Sequence, residues 1–276
     1  MTESEYRRQN GISRTELWRL RDSPEKFKWY QEHPEPATPA LLFGAAVHKL
    51  LLEPETFSAE FAVMPEVDRR TKDGREAYNS FLSASDGKSV ITLTDYEKAQ
   101  EMANKVLDAP FVKKLLDGEH EKPFYWVDDL TGEGCKIRVD CISTIGGKPV
   151  IIDYKTTADA STDGFMHSAV KYGYTFQSGM YLEGVCQNLY HKSILSLLGT
   201  SEAPIFVFVI QEKNPPYSIN ICQADEVFVR YGYDIFRELL GLYKDCKESN
   251  NFFGYLGKYE VINNLSLPSY LAKEIE

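Results

Sequence analysis

An aspartate and a lysine, two positions apart, follow a short apolar run of this chain. Asp153 and Lys155 come after Pro149-Val-Ile-Ile, a segment that is apolar on both faces, as in a buried central strand. Since side chains alternate along a strand, Asp153 and Lys155 project from the same face. Burying both charges is costly unless they have partners or a metal ion. For an isolated pair, the structural alternative is an ion pair at a solvated strand end.

A second carboxylate adds a chemical interpretation. Asp140 ends the preceding strand-like segment, Lys136-Ile-Arg-Val-Asp140. Two carboxylates from neighbouring strands can hold a hard divalent cation, and a lysine beside them can stabilise charge on an attacked phosphate. Phosphodiester hydrolysis needs such groups because negative charge builds on the phosphate oxygens and the leaving oxygen. In a two-metal site the ions stand about 3.5–4 Å apart, a distance that two aspartates can span.

Several other side chains could contribute to such a site, and each has a structural alternative. His48 lies on an apolar helix, where a single histidine is more often a core or capping residue than a ligand. Glu121 alone is a surface acid ahead of a strand. Gln177 and Tyr181 share a helix face at i, i+4 spacing, as a half-buried pair would. Arg138 could pair with the carboxylate two residues later or reach a phosphate.

The elements that must position these residues are predicted from hydrophobic pattern and capping signals. Ser13-Arg-Thr-Glu16 is a capping box, Ser23-Pro24 opens a second helix, and a third helix covers residues 41–53. A long amphipathic helix follows Thr94. Three meandering strands are then expected over residues 122–127, 136–142 and 149–155, with turns at Gly132/Gly134 and Gly146-Gly147. The remaining predicted elements are helices from 162 and over 175–189, strands over 204–210 and 217–222, and a helix over 225–247.

This order of elements predicts an α/β fold, with a mixed central sheet flanked by helices and a helical N-terminal elaboration. We expect one domain over residues 1–276, in which 1–60 form the elaboration and 120–223 the sheet-bearing catalytic core. A chain of this length, with 43% hydrophobic and 26% charged residues, can bury a sizeable core.

Composition narrows the setting in which the chain works. No apolar run approaches the roughly 20 residues of a membrane span, and the N-terminus lacks a hydrophobic signal core, so we expect a cytoplasmic protein without a membrane partner. Five scattered cysteines without a C-x-x-C pair fit a reducing compartment and argue against a zinc or iron–sulfur site. The net charge of −10 disfavours nonspecific nucleic-acid binding by the whole surface, although basic groups can be concentrated in one cleft.

Taken in order, the candidate residues resemble the motif series of the PD-(D/E)XK nuclease superfamily. The similarity is greatest to the RecE (exonuclease VIII) catalytic-domain family within its phage-exonuclease branch. The series is Gly44-x-x-x-His48, Glu121, Arg138-x-Asp140, Asp153-x-Lys155 and Gln177-x-x-x-Tyr181. Further matching segments are Ser23-Pro24, residues 43–54, Arg69-Arg-Thr-Lys-Asp-Gly74, Asp153-Tyr-Lys-Thr-Thr157 and Leu265-Ser-Leu-Pro268. The short motifs are weak individually, but the ordered set is specific, and it implies a restriction-endonuclease-like fold.

The resemblance also implies an activity. It implies a Mg²⁺-dependent exonuclease, with Mn²⁺ as a substitute, that digests one strand of linear double-stranded DNA from its 5′ end. The resulting 3′ overhang would pass to a RecT-type single-strand annealing protein for recombination, and the chain would form a ring-shaped homo-oligomer such as a tetramer. Lys155 would position or activate water and stabilise the transition state. The implied metal ligands are His48, Asp140, Asp153 and the carbonyl of Tyr154, and the implied ordering residues are Glu121, Gln177 and Tyr181.

A basic segment stands out in so acidic a chain. Residues 64–76 are predicted to form a polar loop, in which Gly74 would let the backbone turn towards a strand of DNA. Its basic side chains are Arg69, Arg70, Lys72 and Arg75. We expect them to contact DNA phosphates rather than to catalyse. The alternative is a solvated surface loop.

Two other interpretations stay open. A RecB-, AddB- or Cas4-like nuclease of other polarity is one. Cas4- and AddB-like nucleases share the D…D-x-K core but usually carry a four-cysteine iron–sulfur cluster, and the cysteines here are wrongly spaced for one. A non-catalytic binding module on the same fold is the other, and the intact Asp140, Asp153 and Lys155 argue against it.

Overall fold

A computed structural model describes residues 3–257, 262 and 264–266 of the 276-residue chain. It has a six-stranded mixed sheet with helices on both faces, so the predicted fold class is confirmed. In the predicted tail motif, Leu267 and Pro268 lie outside the described residues. Among the described helices, none combines the length and the apolar character needed to cross a membrane.

The described strands form two sheets. In chain order the strands are β1 (Ile12–Ser13), β2 (Phe61–Met64), β3 (Ser89–Thr92), β4 (Glu119–Val127), β5 (Gly134–Ile145), β6 (Lys148–Thr157), β7 (Ile205–Glu212) and β8 (Ile219–Gln223). The main sheet runs β1-β5-β6-β7-β8, with β4 also paired to β5. Strands β4, β5 and β6 make the predicted antiparallel meander, whereas β6 and β7 pair in parallel. Gly146 and Gly147, with φ of 59° and 83°, make the tight turn between β5 and β6.

Helices surround this sheet, and several begin where capping signals predict. They are α1 (Glu3–Arg8), α2 (Arg14–Leu20), α3 (Pro24–Glu32), α4 (Pro39–Leu52), α5 (Phe57–Glu60), α6 (Lys72–Ala84), α7 (Leu93–Leu107), α8 (Pro110–Leu115), α9 (Thr162–Tyr172), α10 (Tyr174–Tyr190) and α11 (Glu226–Ser249). Ser13 and Glu16 form both bonds of the predicted capping box, and Ser23 caps α3 ahead of Pro24. These two caps fix the directions of the helices that cover one face of the sheet.

Two hydrophobic clusters lie on opposite faces of the sheet. The first packs α2, α9, α10 and α11 against it, and the second packs α4, α7 and α8. Strand β6 contributes to both by alternation: Ile151 joins the first cluster, and Ile152 and Tyr154 join the second. The Tyr154 hydroxyl donates a hydrogen bond to the buried amide oxygen of Gln211, on the second face. Asp153 consequently faces the first cluster.

The alternation of β4 and β5 changes face partway along both strands. On β5, Val139 belongs to the first cluster but Cys141, two residues later, belongs to the second. On β4, Phe124 belongs to the first cluster, while His120 contacts backbone carbonyls on the side of the second. The change occurs where Glu121 adopts a left-handed backbone, with φ of 47°. Regular period-2 alternation therefore stops at the position of this glutamate.

The segment between α5 and α7 differs from the prediction. Residues 64–76 are not one loop, because α6 begins at Lys72 after an N-cap at Thr71. Gly74 lies in the first turn of α6, where a Cβ atom would be 2.0 Å from the carbonyl oxygen of Asp68, so it permits close packing rather than a turn. Strands β2 and β3 pair in parallel nearby. None of the residues of α6 is buried. Helices are predicted mainly from the regular spacing of apolar residues that pack on a core, and α6 has no such packing.

Candidate active site

Three side chains from different elements meet at the edge of the sheet. His48 from α4, Glu121 from β4 and Asp140 from β5 each offer a ligand atom, and these atoms lie within 4.8 Å of one another. His48 Nε2 is 3.5 Å from Asp140 Oδ2 and 2.7 Å from the carbonyl oxygen of Tyr154. The backbone N–H of Tyr154 donates to Asp140 Oδ2 at 2.9 Å. The backbone of Tyr154 thus touches both the histidine and the aspartate.

Glu121 is the most strained member of this cluster. Its left-handed φ of 47° is unusual for a residue that is not glycine, and it costs free energy that the surrounding structure must supply. Burial and the nearby Asp140 raise the pKa of Glu121 to about 7, against the opposing charge of Arg138. Arg138 Nε lies 2.7 Å from Glu121 Oε2, so the arginine pairs with this acid. Of the two roles predicted for Arg138, pairing with Asp140 is replaced by pairing with Glu121.

Asp153 lies deeper than the three-residue cluster. It is 1% exposed, and the side-chain amide of Gln177 donates a hydrogen bond to its Oδ1. Lys155 forms an ion pair with the buried Oδ2. Burial and Asp140 raise the pKa of Asp153, while the charge of Lys155 opposes the shift. Asp153 is therefore a carboxylate that the protein leaves partly uncompensated.

Lys155 is held as a cation despite its burial. Burial acts to lower the pKa of Lys155, but the carboxylates of Asp153 and Asp140 raise it overall. Its Nζ also lies 5.1 Å from the centre of the Tyr174 ring, a cation–π contact. Burial is the main cause that raises the pKa of Tyr181 well above its usual value, so this phenol keeps its proton at neutral pH. The phenol lies within electrostatic range of both aspartates.

The residues present fit a divalent cation. His48, Glu121 and Asp140 supply one nitrogen and two carboxylates, donors that suit hard or borderline divalent metals. The buried Oδ2 of Asp153, which contacts the Lys155 ammonium group, is a further oxygen that could face a bound cation. The pKa values of Glu121, within this cluster, and of Asp153, beside it, are both raised, and a bound cation would relieve this effect.

Most residues predicted for the site are brought together. His48, Asp140 and the carbonyl of Tyr154 are adjacent, and Gln177 contacts Asp153, as expected of an ordering residue. The geometry differs from the prediction in one respect: Glu121, expected to order the site, completes the cluster with His48 and Asp140, whereas Asp153 lies outside that cluster. The left-handed backbone of Glu121 accounts for this placement, because strand alternation alone does not indicate it.

The predicted phosphate-binding residues 69–75 lie apart from these contacts. Arg69 stacks on the ring of Tyr78 at 4.8 Å, and Arg75 Nη1 donates to the carbonyl oxygen of Arg70 at 3.0 Å. Lys72 is 3.8 Å from a carboxylate oxygen of Glu76. These contacts are local to the start of α6.

Two side chains near the site carried no signal in the sequence. Tyr174 lies against Lys155, and Arg14 lies within electrostatic range of Asp153, Tyr174 and Tyr181. Arg14 is the first residue of α2, so the capping box locates its helix but not what the side chain faces. Its proximity to Asp153 depends on the packing of α2 against α10, which is a tertiary property.

Comparisons with known proteins agree with the fold. The chain matches the model of a family described as a PDDEXK-like domain of unknown function (DUF3799), over residues 13–264. A crystal structure of a "putative exonuclease" from Eubacterium rectale is similar, with a TM-score of 0.60 and 14% sequence identity, over 97% of this chain and 96% of that one. The crystal structure of SSO0001 is less similar, with a TM-score of 0.36 and 16% identity, over 83% of this chain and 77% of that one. No curated protein matches the chain.

Proposed function

The chain belongs to the family of PDDEXK-like domains matched over residues 13–264, in the superfamily that its motif series predicts, and from this premise we propose that it is a metal-dependent nuclease. One observation carries the proposal. The ligand atoms of His48, Glu121 and Asp140 lie within 4.8 Å of one another, next to the buried pair of Asp153 and Lys155. Clustered carboxylates with perturbed pKa values, beside a cation, suit hydrolysis of a phosphodiester.

Each side chain has a proposed role that follows from its contacts. His48, Glu121, Asp140 and Asp153 would hold the metal, with the Tyr154 carbonyl as a further ligand. A divalent cation bound by these groups supplies positive charge for the phosphate oxygens and lowers the pKa of bound water.

The remaining residues hold the site in order. Lys155 stays charged beside Asp153, so its ammonium group can stabilise the charge that develops on the phosphate. Gln177 fixes the orientation of the Asp153 carboxylate through its hydrogen bond. Tyr181 keeps its proton and can orient water or substrate as a neutral hydroxyl. Since these groups are packed between strand and helix, little reorganisation is needed at the moment of reaction.

The finer proposal follows from the resemblance of the motif series to RecE catalytic domains. We propose a Mg²⁺-dependent 5′-to-3′ exodeoxyribonuclease that acts on linear double-stranded DNA and leaves a 3′ overhang for a RecT-type annealing protein. We also propose a ring-shaped homo-oligomer and a single domain over residues 1–276. The two clusters that share one sheet support a single domain, since neither face could be buried without the other.

DNA phosphates are also proposed to contact the basic residues at the start of α6. Arg69 and Arg70 precede the helix, while Lys72 and Arg75 lie in its first turns. We expect the double change Arg69→Ala/Arg70→Ala to flatten the log–log salt dependence of duplex binding by about one unit per lost phosphate contact. Lys113→Ala/Lys114→Ala, in the last turn of α8, is a matched control for charge. An equal change in the control would mean that residues 69–75 are an ordinary solvated surface and not a specific phosphate-binding segment.

End-labelled DNA tests the activity and its polarity. The substrates are linear duplexes labelled at a 5′ or a 3′ end, with and without a 5′ phosphate, and a closed circular duplex as control. We expect early release of the 5′ label, no attack on the circle, and activity that rises with Mg²⁺ and is abolished by EDTA. The variant Lys155→Ala controls for a contaminating nuclease.

Other outcomes separate the alternatives. Early release of the 3′ label would overturn the polarity and favour a RecB- or AddB-like nuclease. Cleavage of the circle would overturn exonuclease action. Metal-dependent binding without hydrolysis of any substrate would favour a non-catalytic binding module on this fold.

A further inference from the structure

Arg14 lies in the wall of the candidate site without a carboxylate partner. Among the described residues, no acidic oxygen lies within ion-pair distance of its guanidinium. Its Nη2 donates to the backbone carbonyls of Tyr172 and Gly173, the second at 3.1 Å. Its Nε is buried and has no hydrogen-bond partner among these residues. A half-buried cation that is bonded only to neutral carbonyls is costly unless something else neutralises it.

The position of this guanidinium is fixed by tight packing. Arg14 is the first residue of α2, directly after the capping box, and its guanidinium lies 5.7 Å from the centre of the Trp18 ring. Trp18 in turn packs on the junction between α9 and α10, where Gly173 has a φ of 70°. A Cβ atom at Gly173 would lie 2.6 Å from that ring, so only glycine allows the approach. The two backbone hydrogen bonds of Nη2 and the neighbouring Trp18 ring therefore limit the positions that the guanidinium can take.

Arg14 lies near side chains of the candidate active site. The carboxylate of Asp153 and the hydroxyl groups of Tyr174 and Tyr181 lie within its electrostatic range. Burial is nevertheless the largest influence on the Arg14 pKa, and it lowers that pKa. The nearby negative charge thus does not fully compensate for desolvation. An anionic ligand bound next to Arg14 would add the negative charge needed to compensate for this desolvation.

We infer that Arg14 binds a phosphate group of the DNA strand in the active site. The inference rests on the proposed nuclease function and adds a substrate-binding residue to it. Arginine is suited to this role because its planar guanidinium remains charged and donates several hydrogen bonds to phosphate oxygens. The Nη2 bonds to the α9–α10 junction orient the group, and Nη1, which makes no hydrogen bond within the described residues and is not buried, is left for the ligand. The phosphate is either an internal one or the terminal one of the strand.

Binding measured without hydrolysis tests this assignment. The probe is a fluorescent duplex with a 5′ phosphate or a 5′ hydroxyl, titrated in Ca²⁺ over a range of salt, with gels to verify that the duplex stays intact. We expect Arg14→Met to weaken binding about tenfold or more, the effect of losing one charged hydrogen bond. The log–log salt slope should also fall by about 0.7–0.9. Loss on both duplexes assigns an internal phosphate, and loss confined to the 5′-phosphorylated duplex assigns the terminal one.

Matched variants distinguish phosphate binding from a structural role. Arg21 lies 4.6 Å from the same Trp18 ring but is not among the charges near Asp153, so Arg21→Met should keep wild-type affinity and slope. Ser13→Ala weakens the start of α2 without removing a charge, so it should lower the melting temperature and leave the slope unchanged. If Arg14→Met does not fold, Arg14→Lys replaces it, and we expect that variant to keep the slope and lose affinity.

The outcomes separate the two proposals. Wild-type affinity and slope in both Arg14 variants, while the wild-type protein cuts DNA, would overturn only the assignment of Arg14. An equal loss of slope in Arg21→Met would overturn it as well. A wild-type protein that neither binds nor cuts any duplex would overturn the proposed function together with this inference.

Discussion

Strand β4 has a buried carboxylate near each end, and the protein shifts the pKa values of the two in opposite directions. Asp128, just after the strand, receives hydrogen bonds from Thr131 and from both terminal nitrogens of Arg237. Burial acts to raise the pKa of Asp128, but these bonds lower it overall. Glu121, near the start, is paired only partly by Arg138, and burial with Asp140 raises its pKa to about 7.

The two carboxylates differ in how far the protein compensates for their charge, which agrees with the metal-binding role proposed for Glu121. Both side chains are largely buried, with exposed fractions of 6% at Asp128 and 13% at Glu121, so burial alone does not distinguish them. The distinction lies in whether the protein supplies donors for the charged form. Glu121 has the Arg138 guanidinium as its ion-pair partner but none of the additional hydrogen bonds that Thr131 gives to Asp128, and its backbone is strained. A cation bound at Glu121 would compensate for this difference.

The largest effect is expected at Asp153. Asp153→Asn keeps the hydrogen bond with Gln177 but removes the charge that would bind metal, so we expect DNA cleavage to fall about a thousandfold or more. The melting temperature of the metal-free protein should change little, because the removal of a buried negative charge is offset by the loss of the ion pair with Lys155. Initial rates on labelled duplex and thermal melting measure the two effects. Wild-type rates in this variant would contradict the nuclease assignment.

The opposite result is expected at the other end of β4. Asp128→Ala leaves Arg237 without its buried partner, so we expect the free energy of unfolding to fall by about 3 kcal/mol. The specific activity of the protein that remains folded should not change, since Asp128 is not among the residues of the site. Urea unfolding and initial rates below the unfolding temperature measure this contrast. Loss of activity at unchanged stability would remove the distinction between the two acids.

A comparable effect on stability, but one that depends on pH, is expected at Glu121. A pKa raised from 4.5 to about 7 means that the stability from protonated Glu121 is fully present below pH 4.5 and is lost as pH rises through 7. Glu121→Gln stays neutral and can still accept from Arg138. It should therefore stabilise the metal-free protein by about 3 kcal/mol at pH 8, at about 1.4 kcal/mol per pKa unit, and hardly at pH 4.5.

Urea unfolding in EDTA at the two pH values measures this difference. Asp128→Asn is the matched control and should show the reverse sign at pH 8, since the pKa of Asp128 is lowered in the folded protein. A gain at Glu121→Gln that is equal at both pH values would contradict a charge effect.

The smallest effect is expected at His48. His48→Ala removes one ligand of the cluster but leaves its carboxylates, so we expect half-maximal cleavage to need about tenfold more Mg²⁺ or Mn²⁺. The maximal rate at saturating metal should fall much less. His120, which bonds two backbone carbonyls, provides a control, because His120→Ala should change stability and not metal dependence. Identical metal dependence in His48→Ala and wild type would make His48 a structural residue.

The parts of the fold that local rules determine were predictable from the sequence. The three-strand meander, the turn at Gly146-Gly147 and the caps at Ser13 and Ser23 follow from alternation, glycine and capping chemistry. The start of helix α6, residues 72–76, was predicted wrongly as part of a loop, because none of the residues of α6 is buried and its N-cap, Thr71, lies within a basic polar run.

The site was predictable in part for the same reason. Asp153 and Lys155 follow from strand alternation, and the order of motifs points to His48 and Gln177. The position of Glu121 depends on a left-handed backbone where β4 and β5 change face, and period-2 alternation does not indicate such a change. Arg14 reaches the site only because α2 packs on the α9–α10 junction, a contact between distant parts of the chain.

The alternation of β6 constrains how this strand can change in evolution. Tyr154 is fully buried on one face and bonds Gln211, while its neighbours Asp153 and Lys155 carry charge on the other. Inserting or deleting a single residue between the Gly146-Gly147 turn and Asp153 would exchange the two faces and place the charges in the second cluster. Substitutions at Ile151 or Ile152 only alter packing volume. The length of this strand should therefore be preserved more strictly among relatives than the identity of its apolar residues, and alignment gaps belong outside it.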